Sequence, residues 1–360
     1  SMGVLLTQVL VYGCLFAGLA TLIGVGLLRS LGSDLDLSQR LGQFAWLLLL
    51  AVPLFVLKNA LLNLHNADGK VGVFNSLRLT ESLSSLLLFL ALLWMWQDTA
   101  LLAAIGSWLG ALLVVVIVGL CLLGRFHPVR LRWDRHSQHE LLSLSGKSHL
   151  EVLFQQVLLR SDYLLIGAML DNQALGYYAM ASAAAELLSI VPEAVTTPLM
   201  KRLLQQGKDI RRLTPLALRL TGSTMLVACL GMALLGEWLI VLLFGAAYRP
   251  AYPALLALLP GIFSLCYAAI LRLDLIGKQR PGTLSLLTGC AAALNVLLAL
   301  LLIPRWGIVG ASIASSIAYS ALSLAMLLLY CRLSGVTIGQ TLLVFPSDLR
   351  MLQAQLRPAS

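Results

Sequence analysis

Between Ser145 and Leu170 the chain reads SGKSHLEVLFQQVLLRSDYLLIGAML, a stretch as long and apolar as a membrane span that nevertheless carries Lys147, His149, Glu151, Gln155, Gln156, Arg160 and Asp162. An ionisable group at the centre of a spanning helix costs roughly 2.5–3.5 kcal/mol on insertion scales, so such groups face a bundle interior or a water-filled cavity. At about 100° per residue, Lys147, Glu151, Gln155 and Asp162 fall on one side of the helix, while His149, Gln156, Arg160 and Tyr163 fall on a second. Leu150, Leu153, Phe154, Val157, Leu164 and Ala168 leave an apolar sector suited to lipid. The cations suit an anionic ligand, the amides suit hydroxyl groups, and the carboxylates suit a proton or a metal cation. A plainer account of the same charges is neutralisation, Lys147 with Glu151 along the helix and Arg160 and Asp162 with neighbouring helices.

The next apolar stretch, GYYAMASAAAELLSIVPEAVTTPL, carries Glu186 and Glu193 on one face with Ser182, Ser189 and Thr197. Pro192 between them should bend or loosen the helix. Glu186 falls near mid-membrane and is the better candidate for a proton or cation; Glu193 lies nearer the cytoplasm, where pairing suits it. Earlier in the chain Lys58, Asn59, Asn63, His65, Arg78 and Glu81 gather toward the cytoplasmic ends of two spans. They read either as a vestibule for an anionic headgroup or as an Arg78–Glu81 pair with Lys58 snorkelling to the interface.

Enzyme chemistry finds no footing in these patterns. The sequence has no HExxH, no GxSxG and no phosphate-binding glycine loop. The six cysteines, in apolar runs without metal-ligand spacing, suggest neither a disulfide framework nor a metal site, and no cofactor is expected.

The elements that must carry these groups follow from composition. Of 360 residues, 59% are hydrophobic and 11% charged, against roughly 45–50% and 25% in soluble domains. Runs long enough to cross about 30 Å of hydrocarbon occur at 4–28, 41–64, 73–96, 100–124, 145–170, 174–200, 214–244, 251–275, 283–303 and 307–331. The expected fold is therefore all-α, a polytopic membrane protein of about ten transmembrane helices. The formal charge of +9 reflects loops rather than a nucleic-acid surface. Lys and Arg crowd the segments 125–135 and 201–212 and the tail after 331, whereas the alternate connections hold only Arg29, Arg40, Arg249 and Arg305. The positive-inside rule then places both termini in the cytoplasm.

The basic stretch HPVRLRWDRHSQHE separates four spans from six. We accordingly expect an N-terminal helical bundle over 1–124, a basic cytoplasmic linker over 125–144, a six-helix bundle over 145–331 and a cytoplasmic tail over 332–360. In GIVGASIASSIAYSAL, Gly307, Gly310, Ala311, Ala314 and Ala318 form a small-residue face for helix contact.

Three segments carry a family resemblance. RSDYLLIGAMLDNQALGYYAMASAAAELLSIVPEAV, LLPGIFSLCYAAILRLDLIGKQRPG and ALNVLLALLLIPRWGIVGASIASSIAY resemble the later spans of polysaccharide-transport flippases, the O-antigen and exopolysaccharide translocases of the multidrug/oligosaccharidyl-lipid/polysaccharide exporter superfamily. The third is the most specific, with its Asn, Ile-Pro and Gly-x-x-Gly-Ala-Ser-x-Ala; HNADGKVGVFNSLRLTESL is a weaker likeness. The resemblance implies two six-helix bundles around a central cavity that opens alternately to either side. With four spans in the first bundle, it also implies that two spans are missing ahead of residue 1.

The function so implied is transport, across a bacterial inner membrane, of an oligosaccharide linked through diphosphate to a polyprenol. Lys58, Arg78, Lys147 and Arg160 are the candidates for the diphosphate. Asn59, Asn63, Gln155 and Gln156 are those for the sugars, and Glu151, Asp162 and Glu186 those for a coupling proton or sodium ion. The partners are then the lipid-linked substrate and membrane lipids. The alternatives are a cation-coupled multidrug antiporter of the same superfamily and, less favoured, a membrane glycan polymerase or ligase.

Overall fold

The structure, a computed structural model, describes residues 18, 21–22, 45–67, 70–95, 100–126, 135–194, 210–278 and 280–342. The expected span 4–28 and the basic loops around 127–134 and 201–209 lie outside the described residues, apart from isolated positions of the first. All regular elements among the described residues are helical: α1 (Ala45–Ala67), α2 (Val71–Met95), α3 (Ala100–Phe126), α4 (Arg135–Met169), α5 (Asn172–Glu186), α6 (Ile210–Phe244), α7 (Tyr252–Gly277) and α8 (Pro281–Ser334), with short 3-10 turns at Leu187–Ser189 and Ala246–Ala251 and a last turn at Gly339–Leu342. Six helical segments among them are long and apolar enough to cross a membrane. The chain is an all-α, multi-pass membrane protein.

The segment α4 is not one of those six, because its charged and amide groups dilute its apolar content. It nevertheless packs as a core helix, with Leu158 and Ile166 buried among neighbouring helices. Helix α4 also begins at Arg135, ahead of the expected span start at 145, so part of the expected linker is helical.

Two compact units divide the chain, Ser1–His139 and Glu140–Ser360. In the first, α1, α2 and α3 pack on one another. Leu61, Leu64, Val116 and Leu123 fill the α1–α3 contact, and Leu62, Leu77 and Val115 join all three helices. Leu79, Leu83, Leu86, Leu87 and Leu90 stay exposed on α2, as a lipid-facing surface requires.

The second unit is built around α7 and α8. A straight helix the length of α8, 54 residues, would extend roughly 80 Å, far beyond the hydrocarbon thickness. It breaks at Gly307, whose φ of 56° and ψ of −136° suit glycine. The expected spans 283–303 and 307–331 are thus two arms of one element joined at that residue. The arms approach closely: a Cβ added at Gly310 would sit 2.3 Å from the Leu302 carbonyl oxygen. Ala311, Ala314 and Ala318 are fully buried beside it. The α4–α5 turn is set by Asp171, whose carboxylate accepts from the Ala174 N–H at 2.7 Å and caps α5. Helix α5 tightens into the 3-10 turn Leu187–Ser189 just before Pro192, where proline supplies no N–H to continue the α ladder.

Candidate functional site

The second unit encloses a cavity of about 580 Å³. Most of its wall is apolar, contributed by residues such as Leu158, Leu258, Ile262, Leu265, Leu322 and Met326, and its polar groups come chiefly from α4, α5 and α7. Glu151, Gln155 and Leu159 line it because residues four apart stack on one helix face.

Two Arg–Glu pairs stand in this wall. From α7, Arg272 donates through Nη1 to Gln155 Oε1 and through Nη2 to Glu151 Oε2, both at 2.6 Å. From α4, Arg160 donates through Nη1 to Glu186 Oε1 of α5 at 3.0 Å. The Ser182 hydroxyl also donates to Glu186, at 3.5 Å, and the Arg160 guanidinium lies 5.5 Å from the Tyr163 ring centroid. Glu193 completes the charged lining, so three carboxylates and two guanidiniums face the same space. Such a wall can hold an anion at the guanidiniums, hydroxyls at Gln155 and Ser182, and a hydrocarbon chain along the leucines.

Asp162 lies apart from this lining. It is 1% exposed and gathers hydrogen bonds from three directions. The Tyr178 hydroxyl of α5 donates to Oδ2 at 2.5 Å, the Ser315 hydroxyl of the second α8 arm donates to Oδ2 at 2.7 Å, and the Asn295 amide of the first arm donates to Oδ1 at 2.8 Å. Asn295 also donates to the Leu158 carbonyl at 2.9 Å. Among the described residues these partners are neutral. Asp162 thus ties α4 to α5 and to both arms of α8.

The helical wheel set Asp162 on the Glu151 side of α4; in the structure it faces the core and Glu151 and Gln155 face the cavity. Arg160 and Glu186 do line the cavity, paired with each other. Gln156 is exposed and outside the lining. The side chains of Lys147 and Asn63 lie outside the described residues.

In the first unit, Lys58 is buried and donates to Glu81 Oε1 at 2.8 Å, with its ammonium 4.7 Å from the Phe55 ring centroid. The Lys58–Glu81 bond joins α1 to α2, where the sequence suggested an Arg78–Glu81 pair within α2. Arg78 is exposed, its guanidinium 5.8 Å from the Phe74 ring centroid, and Asn59 is half-buried.

Sequence reasoning passed over Arg272, Asn295 and Ser315. Arg272 offered a usable signal, a cation inside an expected span. Asn295 stood only as the Asn of the third resemblance segment, with no role attached to it, and Ser315 offered no signal, since isolated Ser is common in spanning helices.

The sequence profile of a polysaccharide biosynthesis protein family matches residues 38–253. None of the curated proteins matches the chain. Several solved structures share its fold. A mutant of the Vibrio cholerae MATE transporter VcmN is 14% identical, covering 94% of this chain and 80% of its own, with a TM-score of 0.73. The lipid II flippase MurJ in an inward closed conformation is 15% identical, covering 98% and 76%, with a TM-score of 0.69. The MATE transporter ClbM in complex with Rb+ is 19% identical, covering 99% and 84%, with a TM-score of 0.62. The match takes in residues 38–139 of the first unit, which carried only the weaker resemblance in sequence, and stops short of the α8 segment that carried the strongest.

Proposed function

The chain belongs to the polysaccharide biosynthesis protein family, and from that premise we propose that it is an alternating-access transporter. Its substrate would be an oligosaccharide linked through diphosphate to a polyprenol, flipped from the cytoplasmic to the outer leaflet of a bacterial inner membrane for assembly of a surface polysaccharide such as lipopolysaccharide O-antigen. The observation that carries this reading is the cavity wall, where Arg160 and Arg272 stand against an apolar lining. A diphosphate-linked lipid needs both. Guanidinium is the side chain best matched to phosphate oxygens, through paired charge-assisted hydrogen bonds.

Within this reading Arg160 attracts the diphosphate, Gln155 meets sugar hydroxyls, and the tail follows the leucines. Lys147, and Lys58, Arg78, Asn59 and Asn63 of the first unit, would add cations and amides along the substrate's route, and Gln156 a further amide. Asp162 is the favoured site for a coupling proton or sodium ion. A buried carboxylate supported by neutral donors can change occupancy without breaking an ion pair, whereas Glu151 and Glu186 are each held by an arginine. The loop charges support a cytoplasmic position for both termini.

The test is complementation of a strain lacking a lipid-linked oligosaccharide flippase. Restored surface glycan, with loss of the lipid-linked intermediate accumulated on the cytoplasmic leaflet, is the expected result; persistent accumulation with the protein present in the membrane would sink the proposal. A second reading, a cation-coupled multidrug antiporter, draws on the excess of carboxylates over guanidiniums in the lining and on the MATE structures that share the fold. It requires drug sensitivity to change on deletion.

A further inference from the structure

Arg160 and Arg272 line the same cavity but are held differently. The Arg160–Glu186 pair is open to solvent, with side chains 53% and 49% exposed. Arg272 is half-buried and the side chain of its partner Glu151 is 6% exposed. Two acceptors one helical turn apart on α4, the Glu151 carboxylate and the Gln155 amide oxygen, take the two terminal nitrogens of one guanidinium. A phosphate could take the same edge of the guanidinium through two of its own oxygens.

Packing alone gives no reason for such a pair. Well-packed apolar residues often join two helices as stably as a buried ion pair does. The pair instead keeps a guanidinium extended at the cavity wall, with part of it uncovered and its remaining N–H groups still able to donate. Much of the cavity wall beyond the pair is apolar, which suits an amphiphile with an anionic head.

We infer that Arg272 receives the substrate's diphosphate, and that Glu151 is an internal anion standing in for it while the cavity is empty. The arriving diphosphate takes the guanidinium edge and Glu151 gives way. This inference rests on the reading that the substrate is a polyprenyl diphosphate, and it adds a receiving residue and a built-in competitor to that reading.

The test uses the full chain in detergent, with a sugar-free polyprenyl diphosphate as the probe and the matching monophosphate as comparison. Glu151→Gln removes the competing charge and keeps the shape, so binding should tighten by about tenfold, whereas Arg272→Gln should weaken it by about tenfold or more, the scale of a charge-assisted hydrogen bond. Opposite signs are the signature, because a strut that merely holds α4 to α7 would be damaged alike from either end. Arg272→Lys keeps a cation beside Glu151 but not the two-point edge, so it should weaken the diphosphate more than the monophosphate; it carries the test if Arg272→Gln does not fold. Weaker binding in both Glu151 and Arg272 variants, or unchanged binding in both, overturns the inference while leaving the transport reading intact. A wild-type chain that binds no polyprenyl diphosphate overturns both.

Discussion

Glu151 and Asp162 stand on the same helix and are almost equally hidden, at 5% and 1% exposure, yet their surroundings are opposite. Glu151 faces a cation across a cavity wall, and Asp162 faces hydroxyls and an amide inside packed helices. An ion pair beside a cavity can exchange its anion for another, because the space next to it admits one. A carboxylate held by donors from α5 and both arms of α8 cannot leave without breaking all of these bonds together. The first arrangement suits a binding surface and the second suits a fixed structural or coupling centre.

The largest effect expected on this contrast is at Asp162. Asp162→Leu would strand the Tyr178 hydroxyl and take one acceptor each from the Asn295 amide and the Ser315 hydroxyl, at a cost of about 1–3 kcal/mol for a buried group left unsatisfied. Thermal unfolding in detergent should show a marked drop, or the protein should be lost from the membrane. Asp162→Asn is the sharper probe, since it keeps size and part of the hydrogen bonding. If Asp162 binds the coupling ion, this variant folds but does not transport; full transport by Asp162→Asn would assign the knot a structural role only.

Next in size is the α8 hairpin that brings Asn295 and Ser315 to Asp162. Gly310→Ala places a methyl group against the Leu302 backbone, and overpacking of this kind costs typically about 1–3 kcal/mol. The arms should separate and the Asp162 site should loosen with them. Stability unchanged from wild type would show that the close approach at Gly310 is not needed to assemble the knot.

The helix that carries this contrast was legible in the sequence, but the contrast itself was not, and the gap shows what one-dimensional patterns omit. The density of polar groups on α4 marked it as the helix around which a site would form, because lipid rejects such groups whatever their neighbours are. Which of them meets a cavity depended on partners far along the chain. Asp162 is separated from Ser315 by 153 positions and Glu151 from Arg272 by 121, and no local spacing encodes either. Arg272 was readable as an intramembrane cation, but it sits near LDLIGK, where a basic residue looks like a topology signal. The Gly307 break was visible only as part of a small-residue face, since its positive φ is a property of the turn between the arms and not of the helix pattern.

A smaller effect on stability, with a large one on function, is expected at Arg160. Its pair with Glu186 is exposed on both sides, and such pairs contribute about 0–1 kcal/mol. Arg160→Ala should therefore leave the amount and melting temperature of the protein nearly unchanged while abolishing transport. Reduced protein in the membrane with normal transport per molecule would move Arg160 from the binding surface to the scaffold.

The smallest effect belongs to an ion pair outside the cavity lining. Arg249 donates to Glu237 at 2.5 Å with its side chain 71% exposed. It has the same chemistry as the Arg160–Glu186 pair but is not part of this cavity's lining, so Arg249→Ala isolates what an exposed Arg–Glu contact contributes by itself. Solvent screens the attraction and the long side chain gives up rotamer freedom to hold it. Stability and transport should both stay near wild type. A transport defect as deep as that of Arg160→Ala would mean that loss of a guanidinium anywhere on this unit is enough, and position in the cavity would no longer explain the importance of Arg160.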